Sequence, residues 1–94
     1  MREGYAYILS NKNRTVLYIG ATKYLKKRVK LHLEGKATVF TKSYNVNELL
    51  YFEKYSNFHD AFKREKILKN WHKEWKWNLI KSKNPQLKNL YLEL

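Results

Sequence analysis

The 94-residue chain has no cysteine, one proline, three glycines and only eight acidic residues. Without cysteine there is neither a disulfide staple nor a thiolate metal site. Such usage fits a reducing compartment, and a cytoplasmic location is expected. The single proline, Pro85, lies near the end, and no linker, repeat or low-complexity run divides the chain. Residues 1–94 therefore read as one domain. No apolar run approaches the length of a membrane span, so no membrane partner is expected. The opening MREGYAYILSNKNR has no cleavage-site pattern and predicts no signal peptide. The acids are Glu3, Glu34, Glu48, Glu53, Asp60, Glu65, Glu74 and Glu93, scattered along the chain. A two-metal nuclease needs several convergent carboxylates, and no such cluster is present.

What the chain does have is positive charge. Twenty Lys and Arg leave a formal net charge of +12 at neutral pH. An excess of that size points to a polyanionic partner. Eight tyrosines and three tryptophans are interleaved with the cations. Aromatic rings stack on bases while Lys and Arg neutralise phosphates, which favours nucleic acid over an anionic membrane.

The local pattern is α+β. GYAYILS (4–10) reads as a strand, NKNR (11–14) as a polar turn and TVLYIGA (15–21) as a second strand, an antiparallel hairpin. Alternation places Tyr5, Tyr7 and Leu9 on one face of the first strand. It places Val16, Tyr18 and Gly20 on one face of the second. Whether Tyr7 and Tyr18 share a face depends on a register that the sequence does not fix. Thr22 is a candidate N-cap for a helix whose stripe is Leu25, Val29 and Leu33. Gly35 suits its left-handed end. Residues 36–47 read as a loop with Phe40 and Tyr44 as anchors. ELLYFEKYS (48–56) is a third strand. Ser56 or Asn57 would cap a helix from Phe58, with Phe58, Ala61, Phe62, Leu68 and His72 facing inward. Trp71, Trp75 and Leu79 continue a stripe after a bend or a new helix near His72. The helical pattern stops before Asn84-Pro85. The tail would dock through Leu87, Leu90 and Tyr91.

Among residues able to carry chemistry, Glu65 is the most informative. The steps 58, 61, 65, 68, 72 put it inside the apolar stripe, where an unpaired carboxylate is costly. It is either a salt-bridge partner of one of the many cations or a ligand for a hard divalent cation. Arg28 and His32, four apart, stack on one flank of their helix and could hold a phosphate. The bland alternative is a solvated basic face. Tyr7 and Tyr18 are ordinary strand residues by type. With a pKa of about 10, a tyrosine is a poor base unless neighbouring cations lower it. His59 and His72 have no partner at ligand spacing and read as structural or surface residues.

Four motifs in order resemble the GIY-YIG endonuclease superfamily: YAYIL (5–9), LYIG (17–20), LKKRVKLH (25–32) and Glu65 within KREKILK (63–69). Tyr5-Ala6-Tyr7 stands where Gly-Ile-Tyr is typical, whereas Tyr18-Ile19-Gly20 matches fully. LLYFE (49–53) and LIKSKNP (79–85) extend the likeness to the small stand-alone, excinuclease-subunit-C-like branch. The resemblance implies a small three-stranded antiparallel β-sheet flanked by helices. It implies a DNA endonuclease using one Mg²⁺ or Mn²⁺ ion, directed by DNA structure rather than sequence and serving repair or processing. Single-stranded and branched DNA are the expected partners; the oligomeric state, monomer or weak dimer, is not fixed by the sequence. By position, Glu65 would bind the metal. Tyr18 would activate or orient water, supported by Tyr7. Arg28 would clamp the phosphate, and His32 would handle protons or touch phosphate. Gly20 would allow close backbone approach. Asn78, Asn84 and Asn89 are candidates for a further asparagine. A non-catalytic nucleic-acid-binding module with the same fold is the alternative.

Overall fold

The computed structural model describes residues 3–94. Three strands, β1 (Gly4–Ser10), β2 (Leu17–Thr22) and β3 (Glu48–Tyr55), form one antiparallel sheet in the order β2-β1-β3. The helices are α1 (Leu25–Leu33), α2 (Val39–Ser43), α3 (Phe58–Lys69) and α4 (Lys73–Lys83), followed by a 3-10 turn at Leu90–Glu93. The expected α+β class, with a three-stranded antiparallel sheet flanked by helices, is what the chain adopts.

Alternation along the strands splits the core in two. Tyr7, Leu9 and Leu49 pack with Leu25 and Val29 of α1, and Leu90, Tyr91 and Leu94 of the tail close that side. Ile8, Ile19, Leu50 and Tyr51 pack with Leu68 of α3 and Ile80 of α4, with Trp71 and Trp77 half-buried beside them. Leu50 and Tyr51 are consecutive yet share a face. The pairing of β1 with β3 slips between Ile8 and Leu9, so Ile8 opposes Tyr51 while Leu9 opposes Leu49. The extra residue is a bulge that lets two neighbours fill one core.

Several local expectations are corrected. β2 starts at Leu17 rather than Thr15. Thr22 ends that strand, and its Oγ1 accepts a hydrogen bond from the Tyr24 amide (3.0 Å), so it shapes the turn ahead of α1 instead of capping it. The buried stripe of α1 is Leu25, Val29 and His32, while Leu33 is 42% exposed. The 36–47 segment contains α2, capped by Thr38. Of the two cap candidates for α3, Asn57 serves, as expected, with its Oδ1 accepting from the Asp60 amide at 2.9 Å. Phe62 and His72 face outward, and His72 instead opens α4. Gly35 takes the left-handed conformation expected of it (φ +71°).

A half-buried clamp ties α3 to β3. Arg64 donates from Nε and Nη2 to the two carboxylate oxygens of Glu53 at 2.9 and 3.1 Å, and Tyr51 and Tyr55 donate to the same carboxylate. Burial alone would raise the Glu53 pKa. The hydrogen bonds from Arg64, Tyr51 and Tyr55 outweigh it and hold the carboxyl below its ordinary range. The Arg64 guanidinium also lies 5.1 Å from the Trp71 ring centre.

Candidate active site

Register decides the first question about the site. Tyr7 pairs with Gly20 and Leu9 with Tyr18, so both tyrosines project from the α1 face of the sheet. Gly20 serves the tyrosine directly opposite. A Cβ at Gly20 would stand 2.5 Å from Tyr7 Cζ and Oη, so the ring lies across the space that any side chain there would fill. The close approach expected at Gly20 is therefore made by Tyr7 itself.

Tyr7 is 1% exposed, and its hydroxyl is 3.2 Å from His32 Nε2. His32 is buried as well, and its Nδ1 is 3.0 Å from Thr41 Oγ1. Thr41 Oγ1 in turn lies 2.8 Å from Thr38 Oγ1. Burial, with the Arg28 charge adding to it, lowers the His32 pKa to about 4. The ring is neutral at pH 7, with one nitrogen donating and the other accepting. Arg28 and His32 thus differ in setting: Arg28 stays partly exposed, whereas His32 is walled in between two hydroxyls.

Tyr7 also senses the rest of the expected set. Burial is the main reason its pKa rises well above that of an ordinary phenol. Tyr18 and Glu65 add to the rise, and Arg28 opposes it. One hydroxyl is therefore within electrostatic reach of Tyr18, Arg28 and Glu65 together. Tyr18 is half-buried, with its ring 5.4 Å from the His32 ring, and it is less enclosed than Tyr7. The five residues Tyr7, Tyr18, Arg28, His32 and Glu65 are gathered into one neighbourhood from β1, β2, α1 and α3.

Tyr18 and Arg28 each line a hollow along β2, an edge strand of the sheet. One hollow of about 300 Å³ is lined by Leu17, Tyr18 and Ile19 of β2, Phe40 of α2, and Lys69 and Lys76 of α3 and α4. A second, of about 230 Å³, joins Ala21 and Thr22 to Arg28 and Phe58. The helices on opposite faces of the sheet thus form the two banks of a cleft that follows the edge strand. A roomier hollow of about 580 Å³ lies by Tyr5, Phe52 and Leu94, with Lys23, Lys26 and Lys54 around it. It holds none of the five.

Glu65 exposes 13% of its side chain and forms an ion pair with Lys69 at 2.5 Å. Both readings of this carboxylate meet here, since it has a cationic partner and its charge acts on the Tyr7 hydroxyl. Among the described residues, no three His, Cys, Asp or Glu side chains converge as a fully protein-bound metal requires. Mg²⁺ needs less. It commonly binds through one or two carboxylates and keeps several waters. One shielded carboxylate fits that ion and not a four-ligand zinc site.

The asparagine candidates separate clearly. Asn84 is buried, donating to Leu50 O (3.0 Å) and Lys88 O (2.8 Å) and accepting from the Lys88 amide (3.0 Å). Asn89 accepts from the Leu49 and Tyr91 amides, each at 3.1 Å. Both hold the tail in place. Asn78 is exposed on α4. Sequence reasoning missed Thr38 and Thr41 altogether. Their only signal was a Thr-x-x-Thr spacing, which suits a capped helical turn.

An edge-strand cleft bearing two tyrosines, an arginine and a single carboxylate on a basic α+β domain defines a small nuclease-type domain. The chain belongs to the GIY-YIG family: the family model described as the GIY-YIG catalytic domain matches residues 3–78. Membership of this nuclease family implies binding to nucleic acid. The chain is 36% identical over 90 residues to UPF0213 protein CPE1444 of Clostridium perfringens, covering 96% of each. It is 35% identical over 86 residues to a UPF0213 protein of Pediococcus pentosaceus, covering 92% of this chain and 90% of the other. The solution NMR structure of UPF0213 protein BH0048 from Bacillus halodurans is similar at a TM-score of 0.58 and 25% identity, over 93% of this chain and 92% of that one. Among the described residues, no helix is long and apolar enough to cross a membrane.

Proposed function

We propose that this protein is a divalent-metal-dependent DNA endonuclease, directed by DNA structure rather than base sequence, acting in repair or processing in the cytoplasm. The observation that supports this reading is that Tyr18 and Arg28 line hollows along β2, while the Tyr7 hydroxyl lies within electrostatic reach of Tyr18, Arg28 and Glu65. Arg28, partly exposed on the rim, pairs with the non-bridging oxygens of the scissile phosphate. Tyr18, the more accessible tyrosine, accepts a hydrogen bond from the attacking water and aims it at phosphorus; the water's proton passes to solvent as the new P–O bond forms and the bond to the leaving oxygen breaks. Tyr7 stays a neutral phenol, because burial disfavours its anion, and it fixes the geometry around Tyr18 and Arg28. Neutral His32 holds Tyr7 in place, so its part is positioning rather than phosphate contact. Glu65 would hold one Mg²⁺ or Mn²⁺ ion, releasing Lys69 to the phosphate backbone. When bound, such an ion supplies charge stabilisation to the leaving oxygen.

The test is cleavage of supercoiled plasmid, single-stranded and branched DNA with Mg²⁺ or Mn²⁺. Cleavage is expected to fall at least about 100-fold in Glu65→Ala and in Tyr18→Phe. Unchanged nicking by either variant would sink its assigned role. The Glu65–Lys69 pair favours one alternative, a non-catalytic binding module in which the carboxylate is already neutralised. Tight, salt-sensitive binding with no cleavage of any substrate would support that module.

A further inference from the structure

Phe40 lines the cleft beside Tyr18 yet has no part in the proposed chemistry. It sits on a five-residue helix whose next residue, Thr41, is buried and bonded to His32. The anchor at Thr41 fixes Phe40 at the mouth of the cleft, where 44% of it is exposed. Its ring lies 6.2 Å from Tyr18, inclined by only 28°, and 4.9 Å from Tyr44, which is itself 55% exposed. Together the three rings make a continuous aromatic bank that ends in solvent. Facing it across the hollow are Lys69 and Lys76.

We propose that Phe40, backed by Tyr44, is a stacking surface for an unpaired nucleobase of the DNA substrate, next to the phosphate held by Arg28. This rests on the nuclease reading and adds how the substrate's structure is sensed. An aromatic face opposite two lysines matches the chemistry of one nucleotide, with a flat apolar ring on one side and an anionic phosphate on the other. A hollow of about 300 Å³ is at the small end of ligand sites, a size suited to one base. A base paired inside a duplex has both faces stacked on its neighbours. Only an unpaired or frayed base offers a free face, so the platform selects DNA structure without reading sequence.

The experiment measures binding apart from cleavage. Glu65→Gln protein without added metal is titrated into a short single-stranded DNA carrying 2-aminopurine, and in parallel into the duplex of the same sequence. Stacking quenches 2-aminopurine. Quenching is expected, with about tenfold or weaker single-strand binding in Phe40→Ala. Phe40→Leu, which keeps apolar contact with Tyr18, is expected to lose the quenching, and Phe40→Trp to restore it. Duplex binding should change less than about twofold, since backbone contacts alone hold it. Single-strand binding and quenching unaffected in Phe40→Leu and Phe40→Ala would overturn the proposal. So would equal losses on single strand and duplex, or preferential capture of an RNA strand of the same sequence. The nuclease reading fails differently, by an absence of metal-dependent cleavage in the unmodified protein.

Discussion

His32 shows how a single buried ring can set both stability and geometry. Its neutral form is held between Tyr7 and Thr41, and burial lowers its pKa to about 4 from an ordinary 6.5. The unfolded chain therefore takes up a proton near pH 6.5, while the folded chain resists until about pH 4. Stability from this residue is complete above pH 6.5 and is lost as pH falls through that window, by at most roughly 3 kcal/mol. That is a large share of the 5–15 kcal/mol typical of a domain. The thermal midpoint should drop between pH 6.5 and 4.5, and His32→Gln should flatten the dependence. An equally steep curve in the variant would mean that other groups cause it. This burial was not legible in the sequence. Leu33 is the more apolar neighbour and was the natural choice for the stripe, but the hydroxyls that satisfy His32 come from positions 7 and 41. A helix pattern carries no trace of such partners.

Elements were legible where periodicity or a cap marks them. β1 and α3 run as read, because alternation and an Asn cap are local signals. α2 leaves no mark in the sequence, since five residues are too few to show a period. The β3 bulge was hidden because consecutive Leu50 and Tyr51 look like any apolar strand. The Glu53–Arg64 clamp was equally hidden, since its partners lie on separate elements. Its position bears on the candidate site: Arg64 precedes Glu65, so the clamp fixes the turn of α3 that carries Glu65. With both side chains about one-fifth exposed, removing one partner should cost more than a surface ion pair. Glu53→Gln should destabilise by about 2 kcal/mol, or roughly 10 °C in thermal midpoint. Its cleavage should also fall at temperatures where it is still folded. A variant with unchanged midpoint and cleavage would relieve the clamp of both roles.

For the whole molecule, the charge excess dominates. Nucleic acid as the partner is legible from composition, and four ordered motifs single out the five candidate residues whose roles the cleavage variants test. What composition could not reveal was where the site lies, since the cleft exists only after β2 becomes an edge. Binding to single-stranded DNA should be salt-steep. With about four phosphates contacted, affinity should fall roughly 50-fold between 50 and 200 mM salt. Affinity independent of salt would mean that the lysines are not the grip. The free edge of β2 has a further consequence. An unpaired strand edge is a template on which another copy of the chain could extend the sheet. Here that edge is flanked by Lys69 and Lys76 on a molecule of net charge +12. A second copy brings the same charge and is repelled, while a polyphosphate is drawn in. In the proposed nuclease, the lysines that draw in substrate would thus also guard against self-assembly, leaving the open edge to a partner of opposite sign.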